Sequence, residues 1–295
     1  MTKQNIKGYA FIIISAVIFG CMPLMAKHIY SDGVNSITLV LMRNLFSLPL
    51  LLALAFISGG SLKISARALP SVGLIGIFGC AVTPLLLFSS YNFMASGSAT
   101  VFHFVYPAIV VILEILTRKS KAGLGNIMSL VLCVGGVAMF YTPGAEISLA
   151  GGALALASGL TYAIYIFLLS SFGSKGTNTF AFSFYVSLVA CAVLFIVALI
   201  SGQLAFPKSV FGWVLSVAFA LLVNGLAVVL FQRGTFIIGG ERAAILSTLE
   251  PITSIIVGAI AFSESVGPLT VLGSILVVAA SVIIALSDKI KLKSK

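Results

Sequence analysis

Three ionisable side chains stand inside long apolar stretches of this sequence: Arg43, His103 and Glu250. Such groups are costly in a nonpolar medium unless they are paired or hydrated, so each is a candidate for function. Arg43 could hold an anionic carboxylate through charge-assisted hydrogen bonds; its bland alternative is a structural tie between helix ends. Glu250 immediately precedes Pro251. A proline removes one helical hydrogen bond and frees carbonyl groups nearby, so a carboxyl at this point could take up and release a proton, or simply satisfy a backbone donor. His103, four residues before Pro107, occupies nearly the equivalent place earlier in the chain. A histidine can titrate near neutrality, although a lone buried one more often just hydrogen-bonds.

Around these lie Tyr91, Asn92, Tyr106, Tyr162, Tyr165, Tyr185, Asn224 and Gln232, polar or amphipathic groups within or beside apolar runs. Tyr and Asn can offer a solute both a stacking surface and hydrogen bonds; equally, they can bond helix to helix. Glu114 and Arg118 are spaced for an ordinary ion pair on one helix face. Lys27 and His28 read as headgroup anchors or the lining of an outer vestibule.

The elements that must position these residues follow from composition. Of 295 residues, 60% are hydrophobic and only 8% charged, with mean hydropathy +1.21. Soluble domains carry roughly a quarter charged residues. This chain could not cover a surface facing water, so its solvent is lipid. The net charge of +10 does not indicate nucleic acid, because Lys and Arg fall in short clusters between apolar runs, the pattern of membrane topology and anionic-lipid contact. Cys21, Cys80, Cys133 and Cys191 lie within apolar runs without metal-like spacing and read as small hydrophobes. No metal or other cofactor is expected.

Apolar runs occupy roughly 8–26, 36–57, 70–92, 96–117, 124–141, 150–171, 178–201, 210–232, 243–262 and 267–287, each 18 to 24 residues long. About 20 such residues cross a bilayer as a helix. Turn residues separate them, as in Ser31-Asp32-Gly33, Ser58-Gly59-Gly60-Ser61, Thr142-Pro143-Gly144, Gly173-Ser174-Lys175-Gly176 and Gly239-Gly240-Glu241. The first run is long for a secretory signal, contains Pro23, and reads as a retained helix. With the N-terminus in the cytosol, fourteen Lys and Arg residues fall inside and only Lys27 and Lys208 outside, a strong positive-inside bias. Both termini are therefore expected in the cytoplasm.

The chain also matches itself at an offset of 143 or 144 residues. Gly8, Ser15 and Phe19 fall on Gly151, Ser158 and Tyr162; Asn35-Ser36 falls on Asn178-Thr179; Tyr106-Pro107 falls on Glu250-Pro251. Five crossings per half is an odd number, so the second half must enter from the opposite side. Such inverted repeats place a substrate site near the midplane and allow alternating access. The expectation is an all-α integral membrane protein of ten transmembrane helices, as two inverted five-helix repeats (1–143 and 144–295) around a central cavity. Gly135-Gly136, Gly151-Gly152 and Ala279-Ala280 suggest close helix packing.

The stretch Phe19-Gly20-Cys21-Met22-Pro23 followed by Lys27, then Arg43, then Leu249-Glu250-Pro251 and Glu264 resembles the EamA-type permeases of the drug/metabolite transporter superfamily. The resemblance spans essentially the whole chain. Phe19 stands where that family usually has Trp, and Ser263 where it has Gly before the closing Glu. The resemblance implies a gradient-driven carrier or exchanger for compounds such as amino acids, nucleobases, sugars or small drugs. It also implies that helices one, three, four, six, eight and nine enclose the cavity. The acidic residue by which the small multidrug resistance branch couples to protons has no counterpart in the first helix here.

A membrane enzyme is disfavoured by seven acidic residues and two histidines in all, with no metal or nucleophile motif. A channel is disfavoured because no filter loop or re-entrant segment stands out. The expected function is export or exchange of a small organic metabolite, amino-acid-like or aromatic. Expected substrate contacts are Arg43, Tyr91, His103, Tyr106, Tyr162, Tyr165, Asn224 and Gln232, with Glu250 in coupling. Expected partners are that solute, protons and the lipid of the cell inner membrane, not nucleic acid, with a monomer or homodimer as the unit.

Overall fold

The computed structural model describes residues 3–59, 62–94, 96–118, 123–139, 148–172, 178–262 and 267–293, which hold helices and no strand. The helical segments are α1 (Gln4–Ser31), α2 (Ser36–Ile57), α3 (Ala66–Ser90), α4 (Ala99–Thr117), α5 (Leu124–Ala138), α6 (Leu149–Phe172), α7 (Thr179–Ser201), α8 (Val210–Ile238), α9 (Gly240–Leu246 and Leu249–Phe262) and α10 (Pro268–Lys293). Among the described residues, seven of these (α1–α4 and α6–α8) are long and apolar enough to cross a membrane. The sequence predicts ten crossings. The difference lies in α5, whose described helix has 15 residues, in α10, whose described apolar stretch Pro268–Ile283 is short, and in α9, which is interrupted. Large apolar side chains such as Phe56, Leu116, Ile196, Leu199 and Val214 stand exposed along these helices. A water-facing monomer does not tolerate so much apolar surface; in lipid it costs nothing.

The interruptions follow from the sequence. Pro23, Pro49, Pro107 and Pro251 cannot donate a helical hydrogen bond, and α1, α2, α4 and α9 each break just ahead of theirs, at Cys21, Phe46-Ser47, Phe104-Val105 and Ser247-Thr248. Tighter backbone bonds cover the gaps, such as Ser47 N–H to Asn44 O (3.2 Å) and Thr248 N–H to Ile245 O (3.2 Å). The Ser47 and Thr248 hydroxyls donate to the same two carbonyls. Helices three and eight loosen instead, into π-helical turns at Gly76–Val82 and Leu221–Val228. The breaks of α4 and α9 and the two π turns recur at nearly the same spacing as the repeat in the sequence, whereas those of α1 and α2 have no counterpart in the uninterrupted α6 and α7.

Each first helix packs on the other half. Along α1 and α8, Gly8 meets Ile238 and the Ser15 hydroxyl donates to Ala227 O (2.9 Å), so the two run antiparallel. Along α6 and α3, Gly151 meets Met94, Thr161 meets Thr83 (2.8 Å) and Gly79 meets Tyr165, again antiparallel. The end of α1, the start of α2 and the end of α3 share one level, through Tyr30 to Phe88 O and Ser36 to Ser89. Helix α1 is thus parallel to α3, and α6 runs opposite to both. The last described helix of each half, α5 and α10, packs on the other, with Gly136 against the Gly273 carbonyl.

Two asparagines hold α2 and α7 together at opposite ends. Asn35 caps α2 by accepting from Thr38 N–H and donates to Gln203 O beyond the end of α7 (2.9 Å). Asn178 caps α7 through Phe180 N–H and donates to Ala55 O and Ser58 Oγ at the end of α2. Near the Asn35 end, Asp32 accepts from the backbone N–H groups of Lys208 (2.9 Å) and Ser209 (3.0 Å), at the start of α8.

Replacing Asn35 or Asn178 by Ala is expected to cost roughly 1 kcal/mol each, as for loss of a helix cap, read as a lower unfolding midpoint in detergent; an unchanged midpoint in both would count against the clamps. The Ser209 N–H, first among its contacts, holds the Asp32 carboxyl below the usual carboxylate range. Its stabilising effect is therefore complete above the ordinary aspartate range and fades as pH drops through the lowered value. An Asp32→Asn variant should therefore be less stable than the parent at neutral pH and converge on it below about pH 4, losing part of the acid sensitivity of unfolding; equal midpoints at neutral pH would count against the contact.

A buried aromatic cluster between one cation and one carboxylate

Tyr162, on the continuous helix α6, is the centre of a ring cluster. Its ring lies edge-on to Tyr106 (centroids 4.7 Å), beside His103 (5.3 Å), and stacked on Tyr165 (5.5 Å) and Phe231 (5.9 Å). Helices α4, α6 and α8 thus contribute one wall each. The break in α4 places His103 before it and Tyr106 after it, so both rings reach the same side. Tyr165 reaches the cluster because α3 has Gly79 opposite: a Cβ there would sit 2.2 Å from the Tyr165 ring.

His103 is oriented by Ser158. Its Nδ1 hydrogen-bonds with the Ser158 hydroxyl (2.8 Å), which also lies 2.6 Å from Ala155 O. That fixes the ring against Tyr106 and Tyr162.

Arg43 approaches the cluster from α2. It is 4% exposed, and its guanidinium faces Cys80, Tyr162 and Tyr165. Its terminal nitrogen lies 4.0 Å from the Met22 sulfur, and its Nε has no hydrogen-bond partner. A buried guanidinium with donors to spare is a ready receptor for an anion. On the other side, Glu250 lies in the first turn of Leu249–Phe262, where the helix dipole favours negative charge. It is half-buried and within electrostatic reach of Tyr91, Tyr106 and Tyr162. Gly20 accounts for the approach of α1: a Cβ there would sit 2.8 Å from the Glu250 carbonyl, and the Ser254 hydroxyl donates to Gly20 O (2.7 Å).

The structure thus gathers Arg43, Tyr91, His103, Tyr106, Tyr162, Tyr165 and Glu250. Asn224 and Gln232 are fully buried and bonded between helices. Asn224 donates to Asn44 Oδ1 (2.7 Å) and Gln232 accepts from Ser183. Asn44 in turn donates to Cys80 O in the π turn of α3 (3.1 Å). Asn92 is exposed and Tyr185 half-buried. Glu114 accepts from Ser170 on α6 (3.1 Å); the Arg118 side chain and Glu264 lie outside the described residues, as do Lys119, Lys121 and Lys175. Cys80, Cys133 and Cys191 are buried, Cys21 half-buried, and all four are free thiols. Reading by residue type misses Asn44 and Phe231. Asn44 adjoins Arg43 in mid-helix, but neither it nor Phe231 carries a motif that points to the cluster.

Comparison with known proteins follows the same division. The EamA-like transporter family matches the chain twice, over residues 6–142 and 149–286. An uncharacterized inner membrane transporter of Salmonella typhimurium, YicL, is 24% identical over 96% of this chain and 96% of its own. An uncharacterized transporter of Archaeoglobus fulgidus is 24% identical over 94% of this chain and 95% of its own, and the Bacillus subtilis uncharacterized transporter YcbK is 23% identical over 92% and 90%. A protein of known crystal structure shares the fold, with a TM-score of 0.79 and 14% identity over 95% of this chain and 96% of that one. With both halves matched and seven described helices long enough to span a bilayer, the chain is a multi-pass membrane protein belonging to the EamA-like transporter family.

Proposed function

We propose that this protein is a secondary transporter that moves a small amino-acid-like or aromatic metabolite, as exporter or exchanger, by alternating access between two inverted five-helix repeats, 1–143 and 144–295. In this reading the chain crosses the bilayer ten times, with α5, α9 and α10 completing the set, and both termini lie in the cytosol, as the cation bias favours. The observation that carries the proposal is the ring cluster of Tyr106, Tyr162, Tyr165 and Phe231, set between the Arg43 guanidinium, whose Nε has no hydrogen-bond partner, and the Glu250 carboxyl group. A carboxylate on the solute would meet Arg43, its flat or apolar body would lie on the rings with Tyr91 and His103 at the margin, and Glu250 would answer a positive group or a proton. Asn224 and Gln232 serve this site by holding α8, and with it Phe231, against α2 and α7. Such a site has no need of a cofactor, and the family and its relatives favour transport over catalysis.

A metabolite-resistance screen in an overexpressing host would name the solute class, and counterflow in proteoliposomes would then separate a carrier from a channel: saturable exchange supports the proposal, and unsaturable ohmic current would end it. With a transported solute in hand, Arg43→Gln should lower uptake of carboxylate-bearing solutes roughly tenfold or more, the loss expected for a charge-assisted hydrogen bond, at equal protein in the membrane. Glu250→Gln, the substitution that keeps size but not charge, should flatten the dependence of transport on pH; a profile identical to the parent's removes Glu250 from coupling. Gly79→Ala drives a methyl into the Tyr165 ring and is expected to cost about 1–3 kcal/mol, as overpacking does, measured as the unfolding midpoint in detergent.

A further inference from the structure

Where α1 begins, α7 begins and α8 ends, the three helices line an open cavity of about 580 Å³. Lys7 and Arg233 line it, together with the polar side chains of Gln4 and Thr179. Its remaining walls are Phe11, Phe236 and Ile237, and among these described lining residues there is no carboxylate. The antiparallel packing of α1 on α8 is what brings Lys7 and Arg233 together from residues more than two hundred positions apart. Arg233 leaves α8 on its exposed side, whereas Phe231, two residues earlier, leaves it on the buried side toward Tyr162. The cavity is therefore distinct from the aromatic cluster.

Three sources of positive potential converge there. Two are the side-chain cations, and Arg233 is steadied by the Phe11 ring, whose centroid lies 5.5 Å from the guanidinium carbon. The third is the N-terminus of the 23-residue helix α7, opened by Thr179, where the summed peptide dipoles favour an anion. Two like charges facing one cavity repel each other, and that repulsion is relieved when a group carrying negative charge enters. The apolar walls beside them suit a ligand whose charged head is attached to a hydrocarbon body.

We propose that this cavity binds a phosphate-bearing anion, with Lys7, Arg233 and the start of α7 on the phosphate and Phe11, Phe236 and Ile237 on the attached body. Its source is either an anionic phospholipid headgroup of the surrounding leaflet or a phosphorylated solute. The cation bias of the sequence turns this face to the cytosol, where anionic lipids concentrate.

The test uses the full chain purified in neutral detergent, with dioctanoyl phosphatidylglycerol, dioctanoyl phosphatidylcholine and inorganic phosphate as separate probes. Binding is read as the rise in Tm and as adducts retained in native mass spectrometry. Phosphatidylglycerol is expected to stabilise the protein more than phosphatidylcholine does. The Lys7→Gln/Arg233→Gln double variant should weaken its apparent affinity roughly tenfold or more, as loss of two cations near an anionic group implies. Lys27→Gln and Lys208→Gln, on the opposite face, should leave it unchanged. A rise with inorganic phosphate that is lost in the double variant supports the same site with a soluble source. Equal stabilisation by both lipids together with no response to inorganic phosphate, or undiminished binding in the double variant, overturns the proposal. Should the double variant not fold, Lys7→Gln alone decides: Lys7 is exposed on the first turns of α1, and unweakened adducts with this variant would count against the site.

Discussion

Lipid offers no hydrogen bonds, so any interruption of a helix within the bilayer must be repaired by the protein itself. Several helices here are interrupted, by proline or by π turns, and the repairs are what join the two halves. Asn44 of α2 supplies the carbonyl loosened in α3 and at the same time receives Asn224 from the loosened turn of α8. Ser15 of α1 bonds a carbonyl of the π turn of α8, and Ser254 of α9 bonds the carbonyl of Gly20 at the bend of α1. Without these cross-connections each half would leave backbone groups unsatisfied in hydrocarbon, which costs several kcal/mol apiece. Neither half is complete alone.

The scaffold is repeated while the chemistry is not. At the repeat offset, Arg43 corresponds to Val186, Glu250 to Tyr106, and Cys80 to Asn224. The duplicated features are those that shape the backbone: the Asn35 and Asn178 caps, the breaks of α4 and α9, and the π turns of α3 and α8. The features that have diverged are the charged and aromatic side chains near the middle. Similar backbones facing opposite ways therefore enclose a site whose sides differ, with a cation from one half and a carboxylate from the other. The ring cluster is asymmetric too, since Tyr165 corresponds to Met22, the residue beside Arg43.

Much of this is legible in the order of residues. The apolar runs, the cation bias and the internal match all follow from local composition, and the residues singled out by type (Arg43, Tyr106, Tyr162, Tyr165, Glu250) are brought together. Asn44 and Phe231 escape such a reading because nothing local distinguishes them. An asparagine next to an arginine, or a phenylalanine among many in apolar helices, gains meaning only from what lies across from it. The same holds for Asn224 and Gln232, whose buried amides are held by Asn44 and Ser183, that of Gln232 also adjoining Tyr165. The interruption of α9 is half-visible: Pro251 announces it, whereas its position at Ser247-Thr248 depends on which hydroxyls can turn back onto the chain.

By itself the sequence determined the solvent and the elements. Free energies of transfer act residue by residue, so a chain with so few charges must lie in lipid, and its punctuation must mark where helices end. Tertiary structure alone decided which helices meet. Contacts across the two halves depend on crossing geometry and on the absence of a side chain at positions such as Gly20 and Gly79. That geometry set an arginine and a glutamate, more than two hundred residues apart, on either side of one group of rings.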